Sequence, residues 1–393
     1  MTVSPLVRLT AADLIVRTGY QMGKTPVLPI YAAALGATDW FLGVIVSVST
    51  ITGMVLKPTV GLLSDRWGRR WWLLLGTAFF VGMPFIYRFI QSPDELFIVR
   101  LLHGLATAIY GPVTLAMVAE WGRDRVATRL GFFGMGRHGG HVLGPAAGGL
   151  LLGYKDPVGV FTAIGLLSSL ALIPVVSLPP AAPPSATRNP FSHQVAQAIR
   201  AAARARAIWL AGLLEFTTFV GLYSMRAFLP LYALALGFRV DLVGYFFSIQ
   251  EVTHLLLRTG GGRVGDWLGF RQTITIGALL MGVAFYFLPA TSTTLPFIAI
   301  ALLLGVSQAL VFPSTMALVS TQVSPDHLGA GMGTVGALKN AGKVTGPIVG
   351  GYLVHTGDYG GMFQAMAGLA VATAISVWLF ARYGDGTRKI HPP

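Results

Sequence analysis

The chain has no cysteine. That removes disulfide frameworks, thiolate metal sites and cysteine nucleophiles from consideration. Charge is also scarce: only 11% of the 393 residues are Asp, Glu, Lys or Arg, against about 25% in a soluble globular domain. Such a chain cannot cover a water-facing surface with charge. Acidic residues are outnumbered, 15 against 28 Lys and Arg. Alternating segments of ~10 residues, the mark of a membrane β-barrel, are missing. No cleavable signal-peptide pattern precedes the first apolar run.

What the sequence has instead is apolar length. It is 54% hydrophobic with a mean hydropathy of +0.67. Apolar runs recur at about 11–35, 41–63, 71–90, 95–118, 129–153, 158–178, 208–235, 242–262, 272–290, 294–317, 330–354 and 361–383. Each has roughly the 20-residue length that a helix needs to cross a bilayer core. The expectation is an all-α integral membrane protein with twelve transmembrane helices.

A net charge of +13 invites a nucleic-acid reading, but the positions of the basic residues argue against it. With a cytoplasmic N-terminus, sixteen Lys and Arg fall in the inner loops and ends, and only Arg88, Lys155 and Arg239 fall outside. This asymmetry follows the positive-inside rule. It predicts a multi-pass protein of the cell inner (plasma) membrane, both termini cytoplasmic, with membrane lipids and no nucleic acid among its partners.

The chain repeats itself. "LPIYAAALG" at 28–36 returns as "LPLYALALG" at 229–237, Asp65 and Gly68 return as Asp266 and Gly269, and Gly104 and Pro112 return as Gly305 and Pro313. "GPAAGG" at 144–149 returns as "GPIVGG" at 346–351. The order and near-constant offset indicate duplication: two parallel six-helix halves related by an axis along the membrane normal. The halves are expected at 1–178 and 208–393. The segment 179–207 between them opens with "PPAAPP", which cannot continue a helix. Its basic stretch reads either as an amphipathic helix on the inner leaflet or as a solvated connector.

"GLLSDRWGRR" at 61–70 resembles the loop between spans 2 and 3 of the major facilitator superfamily, where it acts as a gate latch. Gly61 is expected to allow close helix approach. Asp65 is expected to cap a helix or pair with an arginine, and Arg66, Arg69 and Arg70 to hold the segment at the anionic leaflet. Arg100 with Gly104 resembles the family's span-4 motif, with His103 where a glutamine is common. Gly131, Gly140, Gly144, Pro145, Gly148 and Gly149 fit the span-5 antiporter motif of the drug-exporter branches. The same spacing recurs in Gly333, Gly342, Gly346, Pro347, Gly350 and Gly351. Glycines at four-residue spacing make a ridge for close packing, and the proline supplies a bend. "TPVLP" at 25–29 is similar to the end of span 1 in proton-coupled exporters of the tetracycline type. Those carry an aspartate where this chain has Arg17, so that position's cation or proton role does not transfer. The resemblance covers the chain and implies a twelve-helix fold with gating at Gly61, Asp65, Arg66, Gly68, Arg69, Arg70, Asp266, Arg100, Gly140, Gly144, Pro145, Gly346 and Pro347.

Nine basic residues lie inside the apolar runs: Arg17, Lys24, Lys57, Arg100, Arg137, Arg226, Arg258, Lys339 and Lys343. Each costs about 2.5–3.5 kcal/mol if it faces lipid at mid-span, so each needs a partner or a wet cavity. Asp13 can pair with Arg17 at i,i+4, Lys57 is expected to snorkel to the inner surface, and Arg100 to pack against neighbouring spans. Arg17, Tyr20, Gln21, Lys24, Arg137, His141, Arg226, Lys339 and Lys343 are the substrate-binding candidates. They predict a cationic cavity for an anionic or amphiphilic small molecule. Glu251, Glu215, His254 and Arg258 are the proton-coupling candidates. The expected function is proton-coupled export of an organic anion or amphiphile by alternating access. Import or exchange of a small anion, such as a carboxylate or phosphate ester, is the alternative. No catalytic motif, cofactor or metal cluster is legible, so the chain is expected to be a monomeric transporter rather than an enzyme.

Overall fold

The computed structural model describes residues 4–121, 125–179, 206–322 and 325–384. The helix or connector expected at 179–207 lies, save its edges, outside the described residues. Among the described residues every regular element is helical. In chain order they are α1 (Pro5–Met22), α2 (Leu28–Ala34), α3 (Asp39–Trp67), α4 (Arg69–Ile86), α5 (Pro93–Glu120), α6 (Val126–Leu152) and α7 (Pro157–Ser169). Then come α8 (Leu172–Val176), α9 (Arg206–Ala235), α10 (Val240–Leu268), α11 (Phe270–Phe287), α12 (Thr294–Gln322), α13 (Pro325–Thr356) and α14 (Tyr359–Gly384).

Local chemistry sets the helix starts. Ser4, Thr38, Ser92 and Asp156 each accept a hydrogen bond from a backbone N–H three residues on, opening α1, α3, α5 and α7. At α5 Glu95 Oε2 also accepts from the N–H of Gln91, the residue before the cap, at 2.7 Å. Between α1 and α2 the chain kinks at Gly23–Val27, where Thr25 is extended (φ −151°, ψ 120°) ahead of Pro26. Among the described residues four glycines have positive φ, and they form two repeat pairs: Gly36 (86°) with Gly237 (83°), and Gly68 (85°) with Gly269 (95°). Only glycine adopts that backbone without strain, so the duplication reaches the turns themselves.

Among the described residues, eight helical segments are long and apolar enough to cross a membrane: α3, α4, α5, α7–α8, α9, α11, α12 and α14. The other expected spans, α1–α2, α6, α10 and α13, carry Asp13, Arg17, Lys24, Arg137, Glu251, His254, Lys339 and Lys343, while Arg100 and Glu215 lie in α5 and α9. Outward-facing apolar side chains, such as Trp71 at 74% and Trp267 at 83% exposure, fit lipid rather than water as the solvent.

Packing divides the chain into two compact units. The first is 1–189, 223–248 and 344–356; the second is 190–222, 249–343 and 357–393. In the first, α1 lies along α6, and α5 packs on α3 and α4. In the second, α11 packs on α12 and α14. These units follow contacts, whereas the repeat follows duplication of the chain.

The glycine ridge of α6 explains its close fit to α1. A Cβ on Gly140 would sit 2.4 Å from Arg17 Cβ, on Gly144 2.5 Å from Gln21 Cβ, and on Gly148 2.7 Å from the Met22 carbonyl oxygen. On α13, a Cβ on Gly342 would sit 2.4 Å from the Phe216 carbonyl oxygen. Gly61 differs from expectation: among the described residues an added Cβ there meets nothing within 4 Å, so it mediates no close approach to them. Gly131 and Gly333, at the far end of the motif, are likewise open.

Candidate functional site

In the first unit the buried charge centres on Asp13, whose side chain is 0% exposed. Arg17 Nε approaches it at 3.7 Å along α1, and Arg137 Nε from α6 at 3.5 Å. Arg137 also donates to Thr114 Oγ1 at 3.4 Å and lies over the Phe133 ring at 5.0 Å. Two guanidiniums thus share one carboxylate. Arg137, grouped by sequence with the substrate-binding candidates, is held by an internal partner, and the pairing expected for Arg17 is present.

About two turns beyond Arg17, Lys24 sits at the kink that ends α1. Its Nζ lies 5.7 Å from the Tyr20 ring and 5.0 Å from the Tyr223 ring. Arg226 lies over that same Tyr223 ring at 5.4 Å. Lys57, expected to snorkel outward, is instead half-buried and within electrostatic reach of Arg17, Lys24, Tyr20 and Tyr223. Gln21 meets the His141 ring, and His138 Nδ1 lies 2.7 Å from the Gly134 carbonyl oxygen. The structure therefore brings Arg17, Tyr20, Gln21, Lys24 and Arg226 to one region of this unit, and adds Tyr223 and Lys57.

Arg100 is the largest fully buried side chain, 2% exposed. It donates to Ser49 Oγ at 2.6 Å and to the Tyr87 hydroxyl at 3.4 Å, and that hydroxyl lies 3.1 Å from His103 Nδ1. Among the described residues no carboxylate lies within 4 Å of it. Hydroxyls and the Tyr87–Phe161 stack (3.8 Å) enclose a desolvated cation, in line with the packing expected at this position.

The latch loop pairs inward. Arg69 bridges Asp65 at 2.8 Å and Glu120 at 2.9 Å. Arg70 donates to the carbonyls of Val176, at 3.0 Å, and Leu178, while Arg8 donates to that of Ser177 at 2.7 Å. Two guanidiniums thus satisfy the carbonyls left open at the end of α8, where positive charge also meets the helix dipole. Asp65 does pair with an arginine. Of the three arginines expected at the leaflet, Arg66 alone is exposed; the other two are held internally. Asp266, the repeat partner of Asp65, is exposed and has no cation within 4 Å among the described residues.

In the second unit Glu215 is also 0% exposed, with Lys339 Nζ at 3.4 Å from Oε2. The contact is electrostatic, since among the described residues neither Glu215 oxygen has a partner in hydrogen-bond geometry. Lys339 lies over the Phe219 ring at 4.4 Å and the Phe312 ring at 5.1 Å, and Lys343 over Phe219 at 5.0 Å. His254 stands edge-on to Phe312 at 5.3 Å, with Nδ1 3.8 Å from Glu251 Oε2. Arg258, grouped with them by sequence, is exposed and has no carboxylate within 4 Å among the described residues.

Sequence reasoning missed the aromatic partners Tyr223, Phe219 and Phe312, and the match between the acids. Glu215 follows Asp13 by 202 residues, as Lys339 follows Arg137. Each buried carboxylate therefore meets the cation at the repeat-equivalent position. That spacing was open to view in the sequence.

Comparison with known proteins agrees with this architecture. The sequence model of the Major Facilitator Superfamily matches residues 16–269 and 213–392. An uncharacterised MFS-type transporter of Methanocaldococcus jannaschii is 24% identical over 362 residues, 90% of this chain and 92% of its own length. Multidrug resistance protein MdtG of Escherichia coli O17:K52:H18 is 25% identical over 366 residues, 90% of this chain and 88% of its own. Among solved structures, a mutant of the nucleoside transporter NupG superposes with a TM-score of 0.84 at 14% identity, covering 96% of this chain and 99% of that one. A bacterial homologue of the lysosomal transporter Spinster, inward-facing and occupied, gives a TM-score of 0.77 at 16% identity over 97% and 98%.

Proposed function

The chain belongs to the major facilitator superfamily, and from that premise we propose that it exports an organic anion or amphiphilic compound by alternating access, in exchange for protons. It has the family's all-helical, twelve-span fold, and it is a multi-pass membrane transporter rather than an enzyme. In the proposal the halves 1–178 and 208–393 rock as units in the inner membrane, as a monomer with both termini cytoplasmic. The latch around Asp65, and the glycine–proline bends at Gly144–Pro145 and Gly346–Pro347, take part in gating.

One arrangement carries the reading: cations are gathered in pairs on aromatic rings. Lys24 and Arg226 share Tyr223 in the first unit; Lys339 and Lys343 share Phe219 in the second. A ring attracts its cations by its quadrupole, and Lys339 also meets Glu215 at 3.4 Å; the positive charge gathered at each ring supports attraction of an anion. The rings offer apolar area to the body of an amphiphile. Relatives named for multidrug resistance favour export.

The proposed proton carriers are Glu251, with His254 beside it, and Glu215. A carboxylate whose partner changes between two conformations binds its proton differently in each, which is what coupling requires. Reconstituted Glu251→Gln protein tests this. It should bind substrate in a thermal-shift screen of anionic metabolites, lipids and drugs, but fail to concentrate it under an imposed pH gradient. Undiminished accumulation would remove Glu251 as carrier and leave Glu215 and His254. A screen in which only compact carboxylates or phosphate esters bind would replace the amphiphile by a small anion.

A further inference from the structure

Two helix crossings in the first unit are built alike, residue for residue. In one, α3 crosses α13; in the other, α10 crosses α6. A Cβ on Gly43 would fall 2.1 Å from the carbonyl oxygen of Pro347, and one on Gly244 would fall 2.4 Å from that of Pro145. One turn along, Ser47 Oγ donates to the Val344 carbonyl at 2.7 Å, and Ser248 Oγ donates to the Val142 carbonyl at 2.6 Å. At the outer end of each crossing, a Cβ on Gly351 would sit 2.4 Å from the Asp39 carbonyl oxygen, and one on Gly149 would sit 2.9 Å from that of Val240. Gly43 and Gly244, Ser47 and Ser248, and Asp39 and Val240 are each 201 apart; Val142 and Val344, Pro145 and Pro347, and Gly149 and Gly351 are each 202 apart. Every member of one crossing is the repeat partner of a member of the other.

The prolines explain what the serines do. Proline has no N–H and bends the helix away from the preceding turn, so carbonyls on that turn are left without their usual donors. At the second crossing the exchange is complete. Ser248 Oγ donates to the Val142 carbonyl and accepts from the Ala146 N–H at 2.9 Å, the two groups that an unbroken helix would pair with each other. The hydroxyl is inserted into the ladder of a helix to which it does not belong. The glycines on both sides make this reachable, because any larger residue at Gly43 or Gly244 would hold the backbones apart.

We infer that Ser47 and Ser248 are paired bolts: each plugs into the proline-bent turn of the opposite half's glycine–proline motif and holds one end of the transport path closed. They are positioning residues that set the ratio of closed to open forms at that end. Opening that end parts both crossings, so it must break both bonds together. The glycine–proline motif then has a receiving role as well as a bend. The inference rests on the alternating access proposed above, and on neither the anion nor the protons.

The absence of cysteine makes a clean test available. Spin labels on introduced cysteines at Ala37 and Thr356 report the first crossing, and labels at Tyr154 and Leu236 the second. Pulsed dipolar distances are measured in lipid nanodiscs without substrate, in four backgrounds: the unaltered chain, S47A, S248A and the double variant. The unaltered chain should give a dominant short distance at both pairs. Each serine substitution should raise the long-distance fraction about threefold relative to the short, and the double variant roughly tenfold. G43A and G244A, which keep both hydroxyls, should produce the same long distance by steric wedging. A long distance in the glycine variants but none in the double serine variant overturns the bolts and leaves alternating access standing. Unchanged distances in every variant overturn both. Each sample is checked for a monodisperse folded protein, and if the double variant does not fold, the two single variants decide.

Discussion

Replacing Asp13 by asparagine removes the one buried carboxylate that two partly buried guanidiniums share. At 3.5 Å for Arg137 and 3.7 Å for Arg17, each attraction has a gross size of about 4–5 kcal/mol at an effective dielectric of about 20. Most of that offsets the cost of taking the charges out of water. The net loss on removing one partner of a buried pair is about 3–5 kcal/mol, because the charge left behind stays desolvated. Here two are left, and they repel each other. Asp13→Asn should therefore lower the unfolding free energy of the purified protein in mixed micelles by about 3–5 kcal/mol, read by far-UV circular dichroism. Adding Arg137→Gln should return part of that loss, since it removes one stranded charge and the repulsion. The reasoning fails if Asp13→Asn lies within about 1 kcal/mol of the unaltered protein, or if the double variant shows the simple sum of two losses expected of independent sites.

Other outcomes follow from the same geometry. Arg100→Met keeps the side-chain volume and removes a cation with no carboxylate beside it, so stability should hold or rise; a loss above about 2 kcal/mol would mean that the bonds to Ser49 and Tyr87 outweigh the desolvation they offset. Lys24→Ala and Lys343→Ala should each weaken substrate binding roughly tenfold, about 1.4 kcal/mol, measured by titration calorimetry; unchanged affinity in both would remove the cation pairs from the binding site. Asp65→Asn should slow transport several-fold without unfolding the protein, because Glu120 still holds Arg69 at 2.9 Å. Asp65→Asn with Glu120→Gln should slow transport by more than the product of the two single effects, and a strictly multiplicative double would show that the two acids act independently.

The helices, their ends and the duplication were legible in the chain because each is a local signal. Apolar length marks a span, a serine or threonine opens a helix, and a glycine at a fixed place permits the left-handed turns at Gly36, Gly68, Gly237 and Gly269. The pairing of Asp13 with Arg17 was legible for the same reason, being one turn apart on one helix. Gly61 misled because a glycine in sequence states only that a close approach is permitted. Whether a neighbour comes near depends on how the helix is turned, and at Gly61 none does. Arg258 misled in a similar way: a shared helix face with Glu251 brings two residues to one side but not within reach.

By itself, then, the sequence determined that this chain is a bundle of membrane-spanning helices built from a doubled unit, and which of those helices carry charge. Tertiary structure alone decided which charges meet across helices. Arg137 reaches Asp13 across 124 positions, and Lys339 reaches Glu215. Lys24 and Arg226 share Tyr223, and Ser248 enters the bent turn at Val142. In lipid every polar group must find its partner within the protein. Periodicity can say that a helix has a polar side, but the partner is set by the packing of helices far apart in the chain, where spacing along the sequence carries no distance. The repeat is the exception. Its offset relates Asp13 to Glu215 and Ser47 to Ser248, a match that the sequence held and only the contacts brought to notice, because a duplicated fold must satisfy the same groups twice.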